Sequence, residues 1–322
     1  MSQYIESRDD NIQPLRILDL CTGSGVQAIS TLAMLDSLAE NSLDFIGIDP
    51  SAVVVDINKR ALRFTEFNAY LNGYRDRIST INADLLSGTV YDECNDVPLV
   101  DALSKLSQKE KQLQYDILLA NPPFIPTPSS RSDDAASSLR EEIKNESSST
   151  PRYGLYSSGG ASGEDCLCAI VQMTPMLLRS NGGLLALVSE FMNPPLSTSN
   201  EEEWGLTLKI ESWWSTQADI NDVKGVLFTN EFAINSETYA QRRAMKNDED
   251  DINVWKNHMH LSGIDAVSPG LLFIETQGTK HRQRGKWLQH KFIPKSSLGS
   301  IWTPHNYYAV DFTRRILQDL FW

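Results

Sequence analysis

The sequence predicts an α/β fold in which a mostly parallel, doubly wound sheet carries helices on both of its faces. Short apolar runs alternate along the chain with longer segments of helical apolar spacing, which is the pattern of parallel strands joined by crossover helices. The first run ends at a glycine-rich turn, at the kind of position where open α/β sheets bind their ligands. Two further strand-like runs lie late in the chain, so one sheet is expected to extend over both halves.

The first half of the chain contains four predicted strands and two predicted helices. The first strand leads into the glycine-rich turn, and the second is a β-branched run that ends at Asp56. The second helix is indicated by apolar residues at helical spacing. The strands comprise residues 16–20, 52–55, 77–81 and 116–120, and the helices comprise residues 27–38 and 59–71.

The second half adds three strands, which completes a predicted seven-stranded, Rossmann-like sheet. A helix over residues 165–178 is followed by Asn181, Gly182 and Gly183, a sequence typical of a helix C-terminus. The remaining strands comprise residues 184–189, 224–228 and 270–275, and the remaining helices comprise residues 201–215, 239–246, 254–261 and 312–321.

Composition divides the chain into three parts. Residues 1–14 form a polar, acidic N-terminal tail, residues 15–195 form the ligand-binding catalytic core, and residues 196–322 complete the sheet and carry elements expected to recognise a substrate. The core contains a polar insert at residues 129–150, which has too few large apolar groups to offset the entropy of ordering it. Residues 247–251 predict a short acidic turn.

The charge of the chain excludes nucleic-acid binding by bulk electrostatics. There are 29 basic and 42 acidic residues, which give a net charge of −13. A local exception is segment 280–295, where Lys and Arg residues alternate with aromatic residues and no acidic residue occurs. This segment could bind nucleic acid or an acidic partner, but a solvated basic face beside a strand is the preferred interpretation.

The lack of recognisable targeting signals and the small number of cysteines indicate an intracellular protein that does not span a membrane. No apolar run is long enough for a transmembrane helix, and the N-terminus lacks the features of a signal peptide. Four cysteines in a chain of 322 residues do not make a disulfide scaffold. We therefore expect a reduced compartment, the cytoplasm in preference to an organelle.

The glycine-rich turn suggests a cationic ligand. Gly23 and Gly25 permit left-handed backbone and close approach of a ligand, but this spacing also fits the dinucleotide-binding fingerprint. Asp19 decides between the two, because a carboxylate beside the turn would repel a pyrophosphate. It suits the cationic amino-acid end of S-adenosylmethionine (SAM), which contains no phosphate.

Carboxylates near the ends of the next two strands are candidates for the rest of that cofactor. Asp56 and Asp49 both could bind the ribose hydroxyls, and Asp56 is preferred because it closes its strand and leads directly into a helix. Asp84, after the third strand, could accept a hydrogen bond from the adenine amine or could simply cap the following turn.

The sequence Asn121-Pro122-Pro123-Phe124, after the fourth strand, predicts an acceptor site. The Asn121 side-chain oxygen and the Pro122 carbonyl could both accept from one planar NH₂ group, and Phe124 could stack on its plane. Fixing both N–H bonds aims the nitrogen lone pair at a methyl donor, and positioning of this kind contributes up to ~7–11 kcal/mol in ideal cases. An ordinary Asn-Pro turn is the structural alternative.

With these motifs the chain resembles class I SAM-dependent methyltransferases that carry an NPP(Y/F) motif. It is most similar to the small methyltransferase-domain group, which contains the protein-(glutamine-N5) methyltransferases, over about residues 15–192. Cys21 fits the first motif of that group, and Asn58 and Asn68 fit the second. The resemblance implies that SAM is held by Asp19, Cys21, Gly23, Gly25, Asp56, Asn58 and Asp84, and that the acceptor is oriented by Asn121, Pro122 and Phe124.

The predicted reaction is methyl transfer from SAM to a planar NH₂ nitrogen of a macromolecule. The acceptor is either a glutamine amide of a protein or an exocyclic base amine of RNA or DNA, which would have to be unpaired or flipped. A SAM-binding partner protein with little activity of its own is the alternative, and a nicotinamide oxidoreductase is disfavoured by Asp19. No metal site is predicted, since His258 and His260 lie two apart on a predicted helix. The sequence does not indicate an oligomeric state.

Overall fold

The computed structural model describes the central sheet, its helices and the loops at one sheet edge. The described residues are 15–41, 49–91, 96–99, 102–103, 114–128, 157–195, 204–216, 223–230, 232–245, 248–277 and 287–293. The predicted tail at 1–14, insert at 129–150 and helix at 312–321 lie outside them, as does most of segment 280–295.

The described residues form one sheet of eleven strands in the order β11-β8-β10-β7-β6-β1-β2-β3-β4-β5, with β9 paired to β10. The seven central strands of this order are β8, β10, β7, β6, β1, β2 and β3. Among them only β10 runs antiparallel to its neighbours. The strands are β1 (Arg16–Leu20), β2 (Ser51–Asp56), β3 (Ile78–Asp84), β4 (Thr89–Tyr91), β5 (Asp96–Pro98), β6 (Ile117–Ala120), β7 (Asn181–Met192), β8 (Val223–Asn230), β9 (Ile234–Asn235), β10 (Ala266–Gln277) and β11 (Leu288–Ile293).

Helices cover both faces of this sheet, which confirms the predicted doubly wound, Rossmann-like α/β fold. Helices α1 and α2 pack on one face around Ile17 and Leu32, and α3 and α4 pack on the other around Leu18 and Ile170. None of the helices in the described part of the chain is both long and apolar enough to cross a lipid bilayer. The helices are α1 (Val26–Asn41), α2 (Lys59–Leu71), α3 (Asp165–Leu177), α4 (Gly205–Ser215), α5 (Ser236–Arg243) and α6 (Glu249–Leu261).

The seven predicted strands are the seven central strands, and the sheet extends beyond them at both edges. Strands β4 and β5 form an antiparallel hairpin next to β3, while β11 pairs in parallel with β8. The hairpin strands have three residues each and β9 has two, which is too short for an apolar repeat to show in the sequence.

The predicted acidic turn at residues 247–251 is wrong for residues 248–251, which begin helix α6, and residue 247 lies outside the described residues. Asp248 accepts a hydrogen bond from the Asp251 backbone N–H at 3.0 Å and thereby caps the helix. Glu249 and Asp250 lie in the first turn, where negative charge is favourable because the free N–H groups of a helix point outwards there.

Strand register brings the predicted motifs to one edge of the sheet. Leu20 pairs with Val55 on one side and with Ala120 on the other, so the residues after these three positions are neighbours. The chain reverses its winding direction between β1 and β6, and such a switch point opens a crevice at the carboxyl ends of the strands.

Candidate active site

The turn after β1 has a left-handed backbone at three positions. The φ angles are 58° at Cys21, 59° at Gly23 and 80° at Gly25. At Gly25 the lack of a side chain is essential, because a Cβ would lie 2.5 Å from Cγ2 of Thr65. The sequence therefore places glycine where helix α2 packs directly against the turn.

Helix α2 fixes this turn through two side chains. The Thr65 hydroxyl donates to the Gly23 carbonyl at 3.0 Å, and the Asn68 side chain donates to the Ser24 carbonyl at 2.9 Å. Sequence reasoning missed Thr65, although its position three residues before Asn68 puts both on one face of the helix. The two side chains orient the turn for any ligand that binds over it.

Asp19 lies beneath the turn and not in the wall of the crevice, which differs from the direct ligand contact expected of it. It is completely buried, and one carboxylate oxygen accepts from the Thr22 hydroxyl at 2.7 Å and from the Ala28 backbone N–H at 3.3 Å. The other oxygen has no hydrogen-bond partner among the described residues. Burial raises the pKa of Asp19 to about 7.

Asp56 holds the turn from the neighbouring strand and lines the crevice. Its two carboxylate oxygens accept from the backbone N–H groups of Gly23 and Asn58, each at 2.8 Å. Burial raises its pKa, and these two hydrogen bonds partly oppose that effect. Asp49, the competing candidate, is exposed and precedes β2, at the opposite edge of the sheet.

Asn58 and Asp84 also line the crevice while ordering local backbone. The Asn58 side-chain oxygen caps α2 by accepting from the Arg60 N–H at 3.0 Å. One oxygen of Asp84 accepts from the Leu86 N–H at 2.9 Å, as a turn cap would. Each therefore keeps acceptor capacity for a ligand.

The Asn121 loop meets the turn across the β1–β6 boundary. Asn121 is exposed and lines the crevice together with Pro123. Pro122 is buried and Phe124 is half-buried, and neither forms part of the wall. Glycine allows a close approach to the backbone of Phe124, because a Cβ on Gly159 would lie 2.8 Å from the Phe124 Cα. The stacking role of Phe124 stays a prediction.

Residues 157–165 brace this loop from the other side. The Ile125 N–H donates to the Ser157 carbonyl at 2.8 Å, and the Gly159 N–H donates to the Ile125 carbonyl at 2.9 Å. This pairing brings Ser158, Gly160 and the start of α3 into the wall of the crevice. Sequence reasoning missed the carboxylate of Asp165, because it is distant from the other motifs along the chain.

The crevice is a cavity of about 840 Å³ with three carboxylates in its wall. Asp56, Asp84 and Asp165 contribute these, and no Lys, Arg or His side chain lines the cavity within the described residues. Burial raises the pKa of the Cys21 thiol well above its usual range, so this wall residue is neutral. The predicted residues that line the cavity are Cys21, Gly23, Asp56, Asn58, Asp84 and Asn121, whereas Asp19, Gly25, Pro122 and Phe124 do not.

A charged cluster orients the helices beside the acceptor loop. The Tyr239 hydroxyl of α5 donates to Glu190 of β7 at 2.6 Å, and Arg243 donates to both oxygens of the same carboxylate at 2.9 and 3.1 Å. On α6, a ring nitrogen of His258 lies 2.9 Å from the Ala161 carbonyl. Helix α5 is thereby attached to β7, and α6 is attached to the segment that braces Asn121.

The chain is similar to a curated glutamine methyltransferase. It is 27 % identical over 215 residues to the ribosomal protein uL3 glutamine methyltransferase of Bradyrhizobium diazoefficiens. The match covers 64 % of this chain and 52 % of the relative, so the chain spans about half the length of that protein. No protein-family model matches the chain. The sequence match confirms the resemblance to SAM-dependent methyltransferases.

Solved structures with related folds include three methyltransferases. A candidate class I SAM-dependent methyltransferase from Listeria monocytogenes has a TM-score of 0.44 and 12 % identity, covering 97 % of this chain and 65 % of that one. A SAM-dependent methyltransferase from Agrobacterium tumefaciens has a TM-score of 0.39 and 14 % identity, covering 82 % and 56 %. The ribosomal protein L11 methylase of Lactobacillus delbrueckii subsp. bulgaricus has a TM-score of 0.34 and 14 % identity, covering 83 % and 72 %. Because these scores are below 0.5, the fold assignment rests on the strand order of this chain.

Proposed function

We propose that this protein is a SAM-dependent methyltransferase that methylates a planar NH₂ nitrogen of a macromolecule. One observation carries the proposal: two backbone N–H groups, one in the glycine turn and one at the start of α1, already donate to carboxylates of the protein where a phosphate would bind. Asp56 accepts from the Gly23 N–H, and Asp19 accepts from the Ala28 N–H in the first turn of α1. Negative charge of the protein thus lies at a helix start that would otherwise attract an anion.

The rest of the cavity has the same preference for a cationic ligand. Its wall holds three carboxylates and no basic side chain in the described part of the chain. A nicotinamide dinucleotide would place a pyrophosphate in this negative field without a compensating cation, which is unfavourable. SAM instead brings an ammonium, a sulfonium and a single carboxylate, so it has a net positive charge and carries no phosphate.

The wall residues fit the parts of SAM in turn. The turn at Gly23 would hold the amino-acid end, the second lone pairs of the Asp56 oxygens would accept from ribose hydroxyls, and Asp84 would accept from the adenine amine. The ionised form of Asp19 would favour an ammonium near the turn through space. When bound, SAM supplies a methyl group that is activated for transfer by the sulfonium.

Asn121 would orient the nitrogen that receives the methyl group. It is exposed at the wall of the cavity and follows the register partner of Leu20, so it adjoins the turn. Its side-chain oxygen can accept from one N–H of a planar NH₂ group and hold that nitrogen towards the donor. The proton leaves only as the new bond forms, so no strong base is required.

The proposed acceptor is a glutamine amide in a protein, because the curated relative is named as a glutamine methyltransferase. The net charge of −13 also disfavours a nucleic acid as the partner. Helix α6, which contacts the segment bracing Asn121 through His258, would contribute to recognition of the acceptor protein.

Methyl transfer from tritiated SAM to fractionated cell lysate tests this proposal. Label that survives RNase and DNase but is lost on protease digestion would support a protein acceptor. Peptides prepared from that protein with a protease, without acid hydrolysis, should then contain a glutamine methylated on its side-chain amide. Label that is removed by nuclease would replace the protein acceptor with a nucleobase amine. Binding of SAM without transfer to any fraction would favour a SAM-binding partner protein with little activity.

A further inference from the structure

Asp165 is the one wall carboxylate that the described residues leave without a hydrogen bond or ion pair. Asp56 accepts from two backbone N–H groups, and Asp84 accepts from one. The side chain of Asp165 receives none from the described part of the chain, and it is exposed at the wall of the cavity, where partial burial raises its pKa. Its carboxylate is therefore available to a cationic ligand in the cavity.

The backbone fixes this carboxylate at the Asn121 end of the cavity. The Asp165 N–H donates to the Gly159 carbonyl at 2.9 Å, and Gly159 packs on the acceptor loop. Gly160 has a φ of +84°, and a Cβ at this position would collide with the Asp165 carboxylate. The carboxylate thus lies against Gly160 and shares the wall of the cavity with Asn121.

Resting on the proposed function, we propose that Asp165 is a specificity-determining residue that distinguishes SAM from its product S-adenosylhomocysteine (SAH). The two ligands share the amino-acid end, ribose and adenine, and differ in the sulfonium charge and its methyl group. The methyl group must lie at the Asn121 end of the cavity, so the sulfonium charge approaches the Asp165 carboxylate. Loss of this charge on transfer weakens the attraction and favours release of the product.

Calorimetric titration tests this inference with three ligands, SAM, SAH and sinefungin. Sinefungin is an analogue of SAM with a cationic amine in place of the sulfonium. The wild-type protein should bind SAM and sinefungin more tightly than SAH. Asp165→Asn should reduce the preference for SAM over SAH by about tenfold, with less than about a threefold change for SAH itself. Asp165→Ser provides a second neutral variant if the amide impairs folding, which the thermal midpoint reports.

Two matched variants separate this role from general charge effects. Asp84→Asn removes a carboxylate from the same cavity, but it should weaken all three ligands alike because they share the adenine. Glu164→Gln removes the neighbouring carboxylate, which pairs with Lys209 at 2.7 Å and does not line the cavity, and it should leave all three affinities unchanged.

The inference is overturned if both neutral variants at position 165 weaken SAM and SAH to the same extent or leave their ratio unchanged. It is also overturned if Asp84→Asn changes the ratio as much as Asp165→Asn does, since discrimination would then belong to the total charge of the cavity. If the wild-type protein binds neither SAM nor SAH, the proposed function itself fails.

Discussion

Replacing the buried Asp19 by Asn should make the stability of the protein less dependent on pH. Burial raises the pKa of this carboxyl group from 3.8 to about 7, so the folded chain keeps a proton that the unfolded chain has released. For an acid whose pKa is raised on folding, stability is fully present below the unfolded pKa and is lost as pH rises towards the folded one. An amide does not titrate in this range, so the variant avoids the loss.

The size of the effect follows from the width of this window. The Asp19 carboxyl group should reduce the free energy of unfolding by about 1.4 kcal/mol per pH unit between about pH 4 and pH 7. Between pH 5.5 and pH 8 the loss amounts to about 2 kcal/mol, because titration is complete near pH 7. The difference between variant and wild type should shift by this amount in favour of the variant, and any constant cost of the amide cancels.

Urea denaturation of both proteins at the two pH values measures this shift. The same substitution at Asp49, which is exposed, controls for removing one negative charge from a chain of net charge −13. After subtraction of this control, an equal stability difference at pH 5.5 and pH 8 would refute the reasoning. The carboxylate would then be solvated in the folded protein and unable to act as a buried charge beneath the turn.

Three further substitutions test the site and its support. Asn121→Ala should keep SAM affinity within about twofold in calorimetry and lower turnover at least about 100-fold, because only acceptor positioning is lost; normal turnover would move the acceptor site elsewhere. Gly25→Ala should lower the free energy of unfolding by about 2–3 kcal/mol, because the added Cβ meets α2. Gly23→Ala has nothing within 4 Å of its added Cβ and should lower the free energy of unfolding by about 1 kcal/mol. Equal losses of stability in thermal denaturation would contradict the packing of α2 on the turn. Tyr239→Phe removes the hydrogen bond to Glu190 and should cost about 1–2 kcal/mol of stability in urea denaturation, a cost that would vanish if water replaced the hydroxyl.

The central sheet could be predicted because its strands are apolar runs separated by clear turn signals. The glycine turn, Asp56 and Asn121 were predicted together because each directly follows or ends a parallel strand, and the carboxyl ends of parallel strands share one edge. The register of β1 with its two neighbours then brings these residues together. Their proximity could therefore be predicted without knowledge of any side-chain contact.

The contributions of packing could not be predicted from the sequence. Whether Asp19 reaches the ligand or lies beneath the turn depends on the capping hydrogen bonds of Thr22 and Ala28, which no local pattern specifies. The backbone of Phe124 comes into close contact with Gly159, and these two residues are far apart in the chain. Asp165 was missed for the same reason, because its place in the wall follows from the return of the chain to the loop.

Side-by-side calorimetric titration of the wild-type protein with SAM and with NAD⁺ tests the central claim most directly. A cavity with three carboxylates and no basic side chain among its described wall residues should bind SAM in the micromolar range and give no measurable heat with NAD⁺. Binding of NAD⁺ in the absence of SAM binding would contradict the proposal that the glycine turn receives a cation.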